Sequence, residues 1–280
     1  MKKHETVFPI VKMSEAFCVS KSGYYAWKKR PISRRARQQQ ELVKVITGIQ
    51  KFHRWRFGER RITDALKKTW GPISRNRVIR ILFEEKLGAR RKKRFIATTD
   101  SKHDKSFSPN LLDRQFSVLK PNTVWVTDIT YCRYGNRFLY LCVFIDLHSR
   151  SVVGWALGKT LETSLVVEAY SMALSRRRPP RGLMVHSDRG VQYCSDEFRT
   201  ILRETHCVQS MSRKGDCWDN AVAESFFKTL KTELLYEYSY GTSQEMKLGL
   251  FEYIDGYYNR VRTHSALAYR TPLEFEQIGA

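Results

Sequence analysis

The chain has 280 residues, 42% of them hydrophobic and 12% aromatic, enough for one large domain or two ordinary ones with real cores. Its 50 Lys and Arg outnumber its 28 Asp and Glu to give a net charge of +22, which points to a polyanionic partner. The longest apolar run, Phe138 to Ile145, is eight residues long, far short of the roughly 18 that a bilayer span needs, so a membrane-spanning helix is excluded.

No signal peptide is legible, because Lys12 and Glu15 interrupt the apolar residues near the N-terminus; a cytoplasmic protein is expected. The six cysteines, at 18, 132, 142, 194, 207 and 217, form no C-x-x-C pair, and the seven histidines are scattered. Buried, reduced thiols are therefore expected rather than a zinc site or a disulfide framework. The charge is uneven. Residues 1–110 hold 29 basic and 9 acidic residues, net +20, whereas residues 111–280 hold 21 and 19, net +2. A nucleic-acid-binding part joined to a nearly neutral part is the expected organisation.

In chain order, residues 8–30 read as helix, turn and helix, with Ser20 or Ser22 as cap and Tyr24, Tyr25 and Trp27 interleaved with Lys21, Lys28, Lys29 and Arg30. Residues 31–40 read as a linker or a solvated helix start. Helices are predicted at about 40–53, 58–69 and 74–86. In the last, Ser74 is a natural N-cap, and Val78, Ile79, Leu82 and Phe83 make one apolar face. Asn76, Arg77 and Arg80 lie on the other side, as a helix seated in a DNA groove requires. An amphipathic helix with a solvated basic face has the same pattern. The run GARRKKRF, residues 88–95, offers Arg91, Lys92 and Lys93 to phosphates, or serves as a flexible basic linker. No period is evident over residues 96–118.

The period then changes. Residues 123–132, 137–148 and 151–158 are rich in β-branched and aromatic residues and read as three strands in a meander. A helix at about 161–177, a strand at 182–187, a helix at 195–205, a short strand at 207–212 and helices at about 219–235 and 244–258 complete the chain. The order β-β-β-α-β-α-β-α-α predicts a mixed sheet with helices packed on it.

Three acidic residues stand out. Asp128 interrupts an apolar strand, and Asp188 ends another just before Arg189-Gly190, a turn signal. Glu224 borders the apolar face formed by Val222, Ala223, Phe226, Phe227, Leu230 and Leu234, on a helix capped by Asp219 or Asn220. Singly, each has an ordinary reading: an edge aspartate, a turn former, a Glu–Lys surface pair. Together, two strand carboxylates and one helix carboxylate can converge at a sheet edge, where hard oxygen ligands suit Mg²⁺ or Mn²⁺. Two such ions can activate a nucleophilic oxygen and stabilise the leaving oxygen of a phosphodiester. Lys228 and Lys231, on the stripe of Glu224, would offer positive charge to a DNA backbone. A Ser-His-Asp triad within HSDRG is disfavoured, since neighbours on a strand point to opposite faces.

The segments WVTDITY (125–131), HSDRGVQY (186–193) and SMSRKGDCWDNAVAESFFKTLKTEL (210–234) resemble the catalytic motifs of the OrfB transposases of insertion-sequence family three, relatives of retroviral integrases. FGERRI (57–62) and YYNRVRTHSALAYRTP (257–272) match the same pattern, and 35 residues separate Asp188 from Glu224, as in the family's Asp-Asp-Glu signature. The family often has Gly-Ile where this chain has His206-Cys207, and Tyr where it has Phe57; neither change touches a carboxylate.

The resemblance implies an RNase H-like α/β core, with Asp128, Asp188 and Glu224 as catalytic metal ligands for Mg²⁺ or Mn²⁺, two ions in number. It implies DNA strand cleavage at the ends of an insertion element, and transfer of the freed 3′-hydroxyl into target DNA. Lys231 matches a position that contacts the element end in related integrases. The expected partners are DNA (terminal inverted repeats and target), the upstream-frame OrfA product or a frameshift fusion with it, and further copies of the chain on DNA, with nucleoid association when bound. The expected segments are a helix-turn-helix-like region at 1–37, a second helix-turn-helix domain at 38–95, a linker at 96–118 and an RNase H-like catalytic domain at 119–280. A DNA-binding regulator with an inactive core, and an RNase H-type nuclease that only hydrolyses, are the alternatives.

Overall fold

The computed structural model describes residues 1–89, 107–213 and 217–278. The basic run with Arg91, Lys92 and Lys93 lies outside the described residues. The chain divides into two compact units, Met1–Arg90 and Arg91–Ala280.

The first unit is helical. Helices α1 (Ile10–Ala16) and α2 (Lys21–Lys29) form the leading pair, and Ser20 caps α2 by accepting from the Gly23 N–H. Helix α3 (Arg34–Phe52) starts earlier than the apolar period suggests, because Ser33 caps its basic first turn. Helices α4 (Glu59–Thr69) and α5 (Arg75–Glu84) follow, with Ser74 capping α5. Leu42, Ile46, Ile62, Leu66, Val78, Ile81 and Leu82 close the core between these three helices. The apolar face expected on α5 is corrected here. Ile79 is 41% and Phe83 85% exposed, and Ile81 takes the inward place. Two stripes of α5 share Val78 and Leu82, and α3 and α4 sit on the Ile81 side.

The second unit is a five-stranded mixed sheet in the order β3-β2-β1-β4-β5. Strands β1 (Val124–Tyr134), β2 (Arg137–Asp146) and β3 (Val152–Gly158) form the antiparallel meander; β4 (Met184–Ser187) and β5 (Val208–Met211) join parallel. Alternation along β1 feeds two cores. Val124 and Val126 face α8 (Ala221–Leu230) and α9 (Ser243–Phe251), whereas Trp125 packs with α6 (Thr163–Arg177) and α7 (Asp196–Glu204). Helix α6 lies unusually close to β3. A Cβ on Gly154 would come within 2.3 Å of the Ala169 carbonyl oxygen. Residues 108–111 strap the edge strand β5: the Met211 N–H donates to the Pro109 carbonyl and the Leu111 N–H to Ser210 Oγ.

Three local features depart from the pattern. Each long C-terminal helix ends in a π-turn, Lys231–Leu235 after α8 and Glu252–Tyr258 after α9. A final helix, α10 (Pro272–Ile278), is an unforeseen element. Cys18 is exposed, contrary to the buried-thiol expectation, because it sits in the turn after α1 at φ +50°; Cys132, Cys142 and Cys194 are buried.

The C-terminal segment is locked by a buried ion pair. Arg262, 5% exposed, donates from Nε and Nη2 to both oxygens of Glu233, 3% exposed, at 2.9–3.1 Å, and the Tyr253 hydroxyl donates to Glu233 Oε2 at 2.9 Å.

Candidate active site

The parallel register places two carboxylates side by side. Val126 opposite His186 is the last pair of the β1–β4 ladder; Asp128 follows two residues on, within β1, and Asp188 two residues on, just past the end of β4. The C-terminal edge of a parallel pair is where open α/β sheets place their ligands. Asp188 stands just past the end of β4, in a tight turn where its Oδ1 accepts from the Gly190 N–H at 2.9 Å. A Cβ at 190 would lie 3.0 Å from that oxygen, so any other residue there would press on the carboxylate. Asp128 turns its own Oδ1 to the Ile129 N–H at 2.7 Å.

Glu224 arrives from the first turn of α8, which packs on the same sheet face as Val126. The carboxyl of Asp128 is pushed well above the usual carboxylate range, first by desolvation and then by the charges of Asp188 and Glu224. Desolvation also raises Glu224. The three acidic residues thus share one electrostatic neighbourhood. A set of three carboxylates, with no thiol or imidazole, fits a hard divalent cation, whose charge would relieve their mutual repulsion. Among the described residues no group of three His, Cys, Asp or Glu side chains is drawn tightly enough around one point to hold an ion. The Oδ1 atoms of Asp128 and Asp188 are engaged by backbone instead.

The two lysines of α8 part company. Lys228 is exposed, but Lys231 is 9% exposed and its ammonium lies within electrostatic reach of Cys132 and Asp128. Burial lowers its pKa, and those two groups partly restore it. The expected open Lys228–Lys231 stripe is therefore not present. Lys231 opens the π-turn, which is buried through Leu234 as it packs against the C-terminal segment.

Other expectations about local chemistry resolve clearly. Neither Asp219 nor Asn220 caps α8 with its side chain. The fully buried Asp219 accepts from Arg213, Arg114 and Asn110, and the Arg213 hydrogen bond chiefly holds its carboxyl well below the usual range. Asn220 Nδ2 donates to the Thr127 carbonyl, a bond that the cap motif gave no hint of. His186 is buried with Ser210 Oγ at 2.9 Å and Ser212 Oγ at 3.2 Å, and burial lowers its pKa to about 4. Ser187 Oγ donates to the Asp188 carbonyl, so no Ser-His-Asp relay forms. Tyr193, buried with its hydroxyl on Thr127 Oγ1 at 3.1 Å, was legible only as part of the quoted motif. In the first unit, Asn76 and Arg80 are exposed on α5, whereas Arg77 is half-buried.

Comparison with known proteins bears on the family and the fold. Models described as "Integrase core domain" match residues 119–217 and 205–272, and one described as "HTH-like domain" matches residues 37–95. The chain is 37% identical over 278 residues to the transposase InsF for insertion sequence IS3A of Escherichia coli (strain K12), covering 99% of this chain and 96% of that protein. It is 38% identical over 265 residues to the insertion element IS600 uncharacterized 31 kDa protein of Shigella sonnei, covering 95% and 97%. Among solved structures, a chain of the simian T-cell lymphotropic virus intasome in complex with PP2A regulatory subunit B56 gamma has the same fold. Its TM-score is 0.50 at 17% identity, over 82% of this chain and 74% of that one.

Proposed function

The chain belongs to the family of IS3 insertion-sequence transposases, and from that premise we propose that it is a DDE transposase, a polynucleotidyl transferase that cuts DNA at the ends of its element and joins them to a target. The observation that carries the reading is that Asp128, within β1, lies close enough to Asp188, just past β4, and to Glu224 for both charges to act on it.

In this reading Asp128, Asp188 and Glu224 are the catalytic residues and hold divalent metal, Mg²⁺ or Mn²⁺, two ions in number. When bound, such ions activate the attacking oxygen and stabilise the leaving one. The protein's own part is placement. Strand β1, the turn after β4 and the first turn of α8 hold the carboxylates, Lys231 sets a positive charge beside Asp128, and exposed Lys228 faces the DNA backbone. The chemistry is a direct transesterification. A 3′-hydroxyl forms a bond to phosphorus, the scissile P–O bond breaks, and no nucleophile of the protein becomes attached.

DNA is the substrate, as terminal inverted repeats and target. Asn76, Arg77 and Arg80 on α5, with Arg91, Lys92 and Lys93 beyond it, contact it. The segments are 1–37 and 38–95 for DNA recognition, 96–118 as linker and 119–280 for catalysis; the matches at 37–95 and from 119 support that division. The upstream-frame OrfA product, or a fusion with it, completes the active species, which assembles as an oligomer on DNA and so localises to the nucleoid in a bacterial cytoplasm. Among the described residues no helix is long and apolar enough to cross a membrane.

The test is a strand-cleavage and joining assay with Mn²⁺, on DNA carrying the sequences that flank the gene, with and without the upstream-frame product. Joined products from the wild type and none from Asp188→Asn are expected. Equal activity in Asp128→Asn, Asp188→Asn and Glu224→Gln would refute the site assignment, and hydrolysis of RNA–DNA hybrids without joining would favour the nuclease.

A further inference from the structure

The three carboxylates stand on three separate segments, and each segment sends one more buried polar side chain to a single junction. Thr127 precedes Asp128 and is fully buried; Tyr193 lies just beyond the turn of Asp188 and is 1% exposed; Asn220 lies one helical turn before Glu224 and is 4% exposed. The Tyr193 hydroxyl meets Thr127 Oγ1 at 3.1 Å, and Asn220 Nδ2 donates to the Thr127 carbonyl at 3.1 Å. Thr127 is therefore held twice, through its side chain by the segment of Asp188 and through its backbone by the segment of Glu224.

The sheet explains why the backbone bond exists. The Met184 N–H donates to the Thr123 carbonyl, so by alternation the carbonyls of Trp125 and Thr127 face β4 as well. The β1–β4 ladder ends at the pair Val126 and His186. Thr127 has the first carbonyl beyond that ladder. It would be left buried without its strand partner, and the Asn220 amide takes that place.

The amide has one workable orientation, because a flip would set Oδ1 against the Thr127 oxygen. Asn220 Oδ1 has no partner among the described residues, and the side chain makes no capping bond to α8 although the residue occupies the N-cap position. An asparagine at an N-cap ordinarily serves its own helix. This one is given over to the strand that carries Asp128.

We infer that Tyr193, Thr127 and Asn220 form a positioning clamp that sets the mutual spacing of Asp128, Asp188 and Glu224, and thereby the affinity of that trio for its divalent cation. The inference rests on the metal-holding role proposed for the trio. None of the three clamp residues touches the ion or the DNA; each acts through the segment it braces. Groups that orient metal ligands in this way typically change metal affinity by 10–100-fold when removed.

The experiment measures Mn²⁺ binding to the full chain without DNA, by calorimetry and by the loss of the free-ion electron paramagnetic signal. It also records thermal melting in chelator. The variants are Tyr193→Phe, Thr127→Val and Asn220→Ala, with Asp128→Asn beside them. Tyr193→Phe and Thr127→Val remove one hydroxyl each and nearly keep shape, so they carry the test if Asn220→Ala does not fold. The expected result is cooperative melting in all folded variants, with Mn²⁺ affinity about 10-fold or more below wild type. The Tyr193→Phe/Thr127→Val double variant should lose no more than the larger single loss, since the two hydroxyls share one bond. Affinities within about two-fold of wild type in folded variants, with binding abolished in Asp128→Asn, would overturn the clamp alone. Binding that survives intact in Asp128→Asn would overturn the metal-site reading and the clamp with it.

Discussion

Replacing Arg262 by alanine should destabilise the catalytic unit severely, for a reason visible in the burial of its partner. Glu233 is 3% exposed and receives the Arg262 guanidinium through both of its oxygens. Without it the carboxylate keeps the Tyr253 hydroxyl but loses its counter-charge inside a packed interior. An exposed pair such as Arg176–Asp255, with the arginine 36% exposed, contributes about 0–1 kcal/mol. Stranding one member of a buried pair costs about 3–5 kcal/mol. For a unit of this size each kcal/mol corresponds to a melting shift of about 2–4 °C, so Arg262→Ala should lower Tm by roughly 6–20 °C. The assay is urea denaturation followed by far-UV circular dichroism, with calorimetry for Tm. The double variant Arg262→Met/Glu233→Leu should recover most of the loss, because it removes the stranded charge as well as the pair. A loss below about 1 kcal/mol in Arg262→Ala, or a double variant worse than the single, would refute the account.

Three further outcomes are expected. Gly154→Ala puts a methyl group 2.3 Å from the Ala169 carbonyl oxygen, so it should cost about 1–3 kcal/mol in denaturant titration as α6 is forced off the sheet. The Asp219 carboxyl is held low by Arg213; its stabilising contribution is therefore present above the unfolded value near ~3.9 and is lost as pH falls through the lower folded value. Asp219→Asn should accordingly be less stable than wild type at neutral pH, and the gap should narrow in strong acid; a gap that widens there would contradict the sign. Affinity of the full chain for duplex DNA should fall steeply with salt, and Arg77→Ala/Arg80→Ala should reduce the log–log slope by about two, one per phosphate contact removed; an unchanged slope would remove α5 from the interface.

The carboxylate trio is legible in sequence because each member breaks a pattern: Asp128 interrupts an apolar strand, Asp188 ends another, and Glu224 borders an apolar helical stripe. The meander and the mixed sheet are legible from the change of period near residue 120. What holds the trio is not. The Thr127–Asn220 bond depends on where the β1–β4 ladder stops, and no local pattern encodes that register. The face read for α5 takes the wrong one of two stripes that share Val78 and Leu82, because only the position of α3 and α4 decides between them. The π-turn at Lys231–Leu235 has no local signature either, so the burial of Lys231 could not be read from a uniform helical period. Arg262 reads as one more basic residue in a polar tail until Glu233 is found against it.

That ion pair also orders events in the making of the protein. The helical first unit and all five strands are complete by Met211, so most of the molecule can begin to fold while synthesis continues. The counter-charge of Glu233 is added only at Arg262, 51 residues after Met211 and well beyond the last strand. Helix α8 and the π-turn that follows it thus acquire their final setting only after the sheet is complete.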